Sequence, residues 1–477
     1  MAFSLIHFPK FYFNLSVCAA SRVTMFTGLH ASHHGVWGNS LAVDWTDGGG
    51  EQDALGVWLQ AAGYKTALFG KYLNRVVTDN YVANGYDEFR GMVDDSNLGG
   101  IHADHGMRYV NFWLSINGTF TQITSGDTWT GSDKVGYTPA AAAARIGAGN
   151  SGYQTDWLNR RTQLYLDTAT EPFYLDLALW SPHSEASAGN LAVPATRHAS
   201  IPFTPEHDPN WDEADIIDKP KWLRDTVPSQ MTGSQQAYAD DYQVAAWQAA
   251  LGVDELLYDV VAKLTGLGMI DRTIIMLVAD NGAMDGGHRL TFQTAGSVKN
   301  VPYEESAHSQ LFVHYPAYSG RHNVIMIKMD DTAPRVFSEM PWLQSQITAT
   351  NMALIGNIDI VPTICDAAKA KPTLRPDGMS LVPLLDGRVA PVNFRDQLLI
   401  EYDPAEGATI AELPTFAAVI TASGTKYIRY SPHAGDPSED EHYELSADSA
   451  ELINAVGTLT ATQRSSLDAR VESLKAG

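Results

Sequence analysis

QAYADDYQVAAWQAALGVDELLYDVVAKLTGLG (236–268), followed by TIIMLVADNG (273–282), is the stretch that decides the fold class. In the first run apolar residues recur at helical spacing, and Gly268 supplies a stop. The second is a short, continuous apolar run, the pattern of a buried strand, and it closes on Asp280-Asn281. Outward from this pair the strand pattern recurs in TALFGK (66–71), FYLDLALWSPH (173–183) and SQLFVHYP (309–316). Strands alternating with long helices predict an α/β domain built on a mostly parallel sheet flanked by helices. Ligands of such sheets bind beyond the carboxyl ends of the strands. Lys71, His183, Asp280 and Asn281 all fall at those ends.

After about residue 385 the character changes. LLIEYD (398–403), FAAVITA (416–422), TKYIRYS (425–431) and HYEL (442–445) are short strand-like runs separated by turn residues, and TATQRSSLDARVESLKAG reads as a terminal helix. The expected organisation is a large domain over 1–385 and a small C-terminal α+β subdomain over 386–477, an antiparallel sheet plus a helix. Residues 184–235, rich in Pro, Asp and Ser, read as irregular loops over the site. The start, MAFSLIHFPKFYFNLSV, has no basic leader or small-residue cleavage site and reads as a strand around Phe11, Phe13 and Leu15 leading into a loop at Cys18.

The chain has 477 residues, with 55 Asp and Glu against 32 Lys and Arg and a formal net charge of -23. Such a surface argues against a nucleic-acid partner, which needs clustered cations. It still permits an anionic small substrate where a few cations converge in one cleft. No window reaches the roughly 18 apolar residues of a membrane span. Two cysteines, Cys18 and Cys365, are too few for a disulfide framework. Cys365, in IVPTICDAA, reads as a buried core thiol.

Cys18 stands in a different setting. Cys18-Ala19-Ala20-Ser21-Arg22, with Thr27-Gly28 beyond it, resembles the signature of the formylglycine-dependent sulfatase family, Cys-x-Pro/Ala-Ser-Arg and then Thr-Gly. Gly70-Lys71-Tyr72-Leu73-Asn74 resembles the family's second signature, and Ser181-Pro182-His183 its Ala/Ser-Pro-His segment. Asp280-Asn281-Gly282 with Gly287-His288 is similar to its metal-binding run, and Lys299 before Tyr303-Glu304-Glu305 to its last active-site lysine. Each piece alone has a bland reading: Lys71 as a solvated lysine, His183 as a structural histidine, Asp280-Asn281 as a turn or cap. Five pieces in family order are another matter. Asp218 to Leu223 (DKPKWL) resembles a loop of the glucosamine-6-sulfatase-like branch, while NIDIVPT (357–363), DGMSLVPLL (377–385) and Tyr443 to Asn454 resemble further family segments.

The resemblance implies an alkaline-phosphatase-like fold and hydrolysis of sulfate monoesters, on a sulfated sugar or an aryl sulfate. It implies that Cys18 is oxidised by a formylglycine-generating enzyme to an aldehyde whose hydrate attacks sulfur. Arg22, Lys71 and Lys299 would neutralise the sulfate, His183 would protonate the leaving oxygen, and His34 would hydrogen-bond the formylglycine. Asp280, Asn281 and the group made from Cys18 would hold Ca²⁺ or Mg²⁺, since their donors are hard oxygens.

One departure is expected to matter. Family members begin with an apolar strand ending in Asp-Asp, well upstream of the modified cysteine, but no Asp or Glu precedes Cys18 here. Domain 1–385 is therefore expected to lack its first strand, and the metal to lose two anionic ligands. Either the recorded start lies downstream of the true one, with a signal peptide for secretion, the periplasm or the lysosome also missing, or the chain is an impaired binder of sulfated glycans. A phosphodiesterase or phosphonate hydrolase of the same superfamily is the other alternative. Residues 318 to 350 match the family poorly.

Overall fold

The computed structural model describes residues 3–78, 80–94, 107–124, 137–138, 152–404, 410, 413–431 and 439–476. Among them eleven strands form one sheet and four form a second. The large sheet contains β1 (Leu5–Tyr12), β2 (Lys65–Gly70), β3 (Glu88–Met92), β4 (Trp113–Ile116), β5 (Thr119–Gln122), β6 (Phe173–Ala178), β7 (Thr273–Ala279), β8 (His308–His314), β9 (Asn323–Met329), β10 (Ile347–Thr350) and β11 (Ile355–Gly356). Its order is β10-β1-β8-β7-β9-β6-β2-β3-β4-β5, with β11 also pairing β1. The central run β7-β9-β6-β2-β3 is parallel throughout. Every residue of β6, β7 and β9 is buried, as expected of strands covered on both faces.

β9 overturns the expectation of a missing strand. Asn323–Met329 pairs in parallel with β7 on one side and β6 on the other, so it fills an interior place in the sheet. It is an apolar strand followed by Asp330-Asp331. The strand-and-aspartate pattern sought upstream of Cys18 thus lies within the poorly matching stretch, supplied from late in the chain. No apolar gap is left at this position.

The helix at 236–268 also forms, extended to Gly233–Gly266 and opened by a capping box between Thr232 and Gln235. It packs on the helix Gln154–Thr168. Residues Cys18–Thr27, expected in a loop, instead form helix α1, every residue of which is buried. Gly28 ends it at φ 74°, donating its N–H to Thr24 O at 2.7 Å, and a Cβ there would stand 2.8 Å from Pro376 Cβ. The Thr27-Gly28 element is therefore a helix stop that only glycine fits without displacement.

The second sheet is antiparallel, in the order β12 (Gln397–Tyr402), β13 (Phe416–Thr421), β14 (Thr425–Tyr430) and β15 (Glu441–Glu444). The helix Ala461–Lys475 seals it, with Val471 buried against Leu399, Ala417, Val419 and Tyr427. Among the described residues, no helix is long and apolar enough to cross a membrane.

Candidate active site

The central strands end in register. Gly70, Ala178, Lys328 and Val278 lie in one row across β2, β6, β9 and β7. Shortly beyond it the chain presents Lys71, His183, Asp330-Asp331 and Asp280-Asn281 respectively. β1 runs in the same direction, because it is antiparallel to β8, which is antiparallel to β7. Its exit therefore delivers Cys18, the first residue of α1, to the same edge. The amino end of a helix presents unpaired N–H groups and a positive partial charge, favourable to an anion.

Cys18 is fully buried, its Sγ 3.0 Å from Lys299 Nζ and 3.4 Å from Asp331 Oδ1. Lys299 Nζ lies 2.6 Å from both oxygens of Asp331. Lys71 Nζ donates to Asp330 Oδ2 at 2.7 Å and also lies 5.0 Å from the centre of the Trp180 ring. Arg22, one turn along α1 from Cys18, donates from Nε to Asp280 Oδ2 at 2.8 Å and from a terminal nitrogen to Lys71 O at 2.8 Å. Asn281 Nδ2 donates to Asp331 Oδ1 at 2.7 Å, and the Asp331 N–H to Asp280 Oδ1 at 3.1 Å. His183 stacks on Trp180 with ring centres 3.8 Å apart. Its Nδ1 faces the Ser184 carbonyl at 2.5 Å and its Nε2 faces Asp331 Oδ2 at 2.9 Å. Both ring nitrogens thus face oxygen atoms.

The charges shape one another. Burial, followed by the nearby Asp331 carboxylate, pushes the Cys18 thiol up to about 12. An unmodified thiol here stays protonated and is a poor nucleophile. Burial would lower Lys71 and Lys299, but Asp330 and Asp331 respectively outweigh it and keep both ammonium groups charged. Burial would raise Asp330, but Lys71, His183 and Arg22 outweigh it and hold the carboxyl down at about 2. Asp331 is likewise held well below the usual range, His183 and Lys299 overcoming its burial. Asp280 moves the other way, to about 6, through burial and the adjacent Asp330.

Two observations test whether these residues suit a divalent cation. Asn281 Oδ1 and Asp330 Oδ1 are buried without a hydrogen-bond partner, which is costly for any polar atom unless another electron acceptor sits there. Candidate donor atoms of Cys18, His183, Asp330 and Asp331 also lie within 4.8 Å of one another. Three cationic side chains, Arg22, Lys71 and Lys299, face three carboxylates, Asp280, Asp330 and Asp331, so protein charges alone leave little net attraction for an anion. The residues fit a hard dication held by oxygens.

Seven of the eight residues singled out in sequence therefore converge: Cys18, Arg22, Lys71, His183, Asp280, Asn281 and Lys299. His34 sits apart. Its Nε2 meets Thr24 Oγ1 at 3.0 Å and its Nδ1 accepts from Val36 N–H at 3.1 Å, and neither contact is to Cys18. His288, from the Asp-Asn-Gly run, turns to Glu213 at 2.6 Å and is not among these contacts. Asp330 and Asp331 were missed, and with them the expectation that the metal site is deprived of its aspartate pair fails. Other parts of the motifs hold the frame. Asn357 Nδ2 donates to Ser21 Oγ at 3.0 Å, and Lys219 Nζ reaches Leu452 O at 2.7 Å, joining the C-terminal segment to the loop before it. Of the two Asn-x-Ser/Thr sequences, Asn14 is buried with its amide bonded to Leu399 O, whereas Asn117 is exposed.

A shallow hollow of about 310 Å³ opens over the cluster, its lining including Asn39, Asn74, Asp94, Trp180, His183 and Lys299.

A family profile described as Sulfatase matches residues 1–370. The chain is 25% identical to the human N-acetylglucosamine-6-sulfatase over 96% of its own length and 76% of that protein's. It is 25% identical to the "Extracellular sulfatase SULF-1 homolog" of Drosophila melanogaster over 83% of its length and 30% of that protein's. Its fold is similar to that of a solved structure of a protein in complex with its substrate D-glucosamine-2-N,6-O-disulfate. The TM-score is 0.70 at 18% identity, over 100% of this chain and 91% of that one.

Proposed function

Because the chain belongs to the sulfatase family, and is thereby a sulfuric ester hydrolase, we propose that it cleaves sulfate monoesters of a sulfated sugar at the cluster around Cys18. The observation that carries this reading is the convergence of Arg22, Lys71, His183 and Lys299 with Asp280, Asn281, Asp330 and Asp331 on one buried cysteine at a helix start. Formylglycine made from Cys18 would supply a hydrated aldehyde as the nucleophile toward sulfur, with a second hydroxyl that the thiol lacks. Asp280, Asn281, Asp330 and Asp331 would hold a divalent cation, Ca²⁺ or Mg²⁺, which would supply positive charge for the nonbridging oxygens.

The remaining work falls to side chains. Lys71 and Lys299, paired with Asp330 and Asp331, bind the sulfate oxygens. Arg22, anchored on Asp280 and the Lys71 carbonyl, fixes the distance between α1 and the strand ends. His183 holds a proton at Nε2 and delivers it to the departing sugar oxygen, so that no free alkoxide forms. Trp180 stacks on this imidazole and keeps it aimed. The Cys18 thiol itself, pushed up to about 12 by burial, is unsuited to the attack, consistent with a need for modification.

A sulfated amino sugar is the favoured substrate, supported by the similarity to the human N-acetylglucosamine-6-sulfatase and by a hollow that is both aromatic and polar. A formylglycine-generating enzyme is the implied partner, and a secreted, periplasmic or lysosomal setting the implied location. The test joins two measurements. Mass spectrometry of the Cys18 peptide, from cells with a converting system, should find the aldehyde. Turnover of 4-nitrophenyl sulfate should greatly exceed that of bis(4-nitrophenyl) phosphate. Unmodified thiol throughout, or a preference for the phosphate diester, would sink the proposal.

A further inference from the structure

At the carboxyl end of α1, away from Cys18, a second group of donors has collected. His30 and His33 flank the first turn of the short helix Ala31–His34, three positions apart and so on one face. Asp377 comes from a distant loop whose N–H donates to Gly28 O at 2.9 Å. His33 Nδ1 lies 2.7 Å, and His30 Nδ1 3.6 Å, from Asp377 Oδ2. All three donor atoms lie within 4.8 Å of one another.

The His30 ring is the telling part. The residue is only 5 % exposed, yet its Nδ1 has no hydrogen-bond partner. It faces the carboxylate from beyond bonding distance, leaving room between them. Nearby Glu401, 2 % exposed, has an unpartnered oxygen of its own and adds negative charge. The opposing cation, Arg395, is engaged with both oxygens of Asp359, at 2.6 and 2.7 Å. His33 keeps 30 % of its side chain exposed, which gives an entry path.

We propose that His30, His33 and Asp377 form a second cation site, distinct from the catalytic cluster, that takes a transition-metal dication of the zinc class. Two imidazoles and one carboxylate, with solvent at the fourth position, suit that class rather than calcium. Bonds of about 2.0–2.2 Å set the donors of a tetrahedral site about 3.4 Å apart. The His30–Asp377 separation of 3.6 Å already meets this, and the exposed His33 ring has only to swing outward. Asp377 is pre-aimed, because its Oδ2 also accepts the His30 backbone N–H at 2.7 Å. The ion would tie the turn after α1 to the Asp377 loop and brace the helix whose other end carries Cys18.

The test uses the full chain carrying Cys18→Ala, which removes the thiol as a competing ligand, with calcium present in excess. Titration with Co²⁺ should give one equivalent with the intense visible absorption of four-coordinate cobalt. Zn²⁺ should displace it and raise Tm. Adding His33→Ala should abolish both signals while the circular dichroism spectrum stays unchanged. Asp377→Asn keeps the acceptor for the His30 N–H and should lose them too. Cobalt absorption that survives both substitutions, or a parent that binds no cobalt, would overturn the proposal.

Discussion

Asp331→Asn tests the strand β9 and the site together. The carboxylate is fully buried and accepts from Lys299 at 2.6 Å, His183 at 2.9 Å and Asn281 at 2.7 Å. An amide keeps one acceptor oxygen but turns an NH2 group toward donors and leaves Lys299 without its counterion. Removing one partner of a buried ion pair costs about 3–5 kcal/mol. Because one oxygen survives, we expect the lower end, about 3 kcal/mol, in urea unfolding of the metal-free protein. Glu472→Gln is the control: it breaks an ion pair with Arg429 in which the glutamate side chain is 62 % exposed. That loss should stay below about 1 kcal/mol. Losing one charged ligand should also raise the calcium half-saturation of 4-nitrophenyl sulfate turnover, by about 10- to 100-fold at about 1.4 kcal/mol per decade. If stability and calcium response both match the parent, Asp331 is not the hub that the distances describe, and the site assignment loses its centre.

Gly70→Ala should cost about 3 kcal/mol or more, since φ is 107° and the new Cβ would stand 1.9 Å from Ala178 O. A urea midpoint within error of the parent would refute this. Lys328→Met should cost about 3–5 kcal/mol by stranding Asp176, whose carboxylate lies 2.8 Å from the lysine with both side chains fully buried. Asp176→Leu combined with Lys328→Met should recover most of that loss, so a double variant as unstable as the single one would contradict the reasoning. Burial pushes Asp254 up to about 6 against hydrogen bonds from Tyr137 and the N–H groups of Trp342 and Leu343. A raised carboxyl pKa stabilises the fold below the unfolded value and loses that contribution as pH rises through about 6. Between pH 4.5 and 7.5 the parent should therefore lose about 2 kcal/mol more than Asp254→Asn does. Parallel urea-midpoint profiles for the two proteins would exclude it.

The α/β class was legible because β6 and β7 are apolar runs broken by polar residues at their carboxyl ends, and because Gly233–Gly266 holds helical spacing over many turns. The four C-terminal strands were legible from the turns between them. Seven site residues were legible because each sits in a short motif. Asp330 and Asp331 carried an equally plain signal, NVIMIKMDD, but it lies at 323–331, late in the chain, whereas family order points to a place ahead of Cys18. Residue spacing says that a strand ends in two aspartates. It does not say between which neighbours that strand inserts, since pairing is decided by two-sided burial and backbone hydrogen bonds over long sequence separations. His34 failed to join for the opposite reason. Three histidines, His30, His33 and His34, crowd one turn, and tertiary contacts sort them: Thr24 meets the His34 ring, while Asp377 faces His30 and His33.

A strand can arrive late in the chain and still occupy the middle of this sheet because of where β8 ends. β8 is antiparallel to β7, so the chain leaves it at the amino-terminal edge of the parallel run. Reaching β9 then means passing over β7 alone, two strand spacings or about 10 Å. Residues 315–322 span far more than that when extended, at about 3.3 Å each. The exit is equally open. Residues after Asp331 run through the short helices Pro334–Glu339 and Pro341–Ser345 to β10 at the sheet edge beside β1. Seated between β6 and β7, the late strand brings Asp331 within 3.4 Å of Cys18 Sγ. The cluster is set by the row that the strand ends form, not by the order in which the chain visits them.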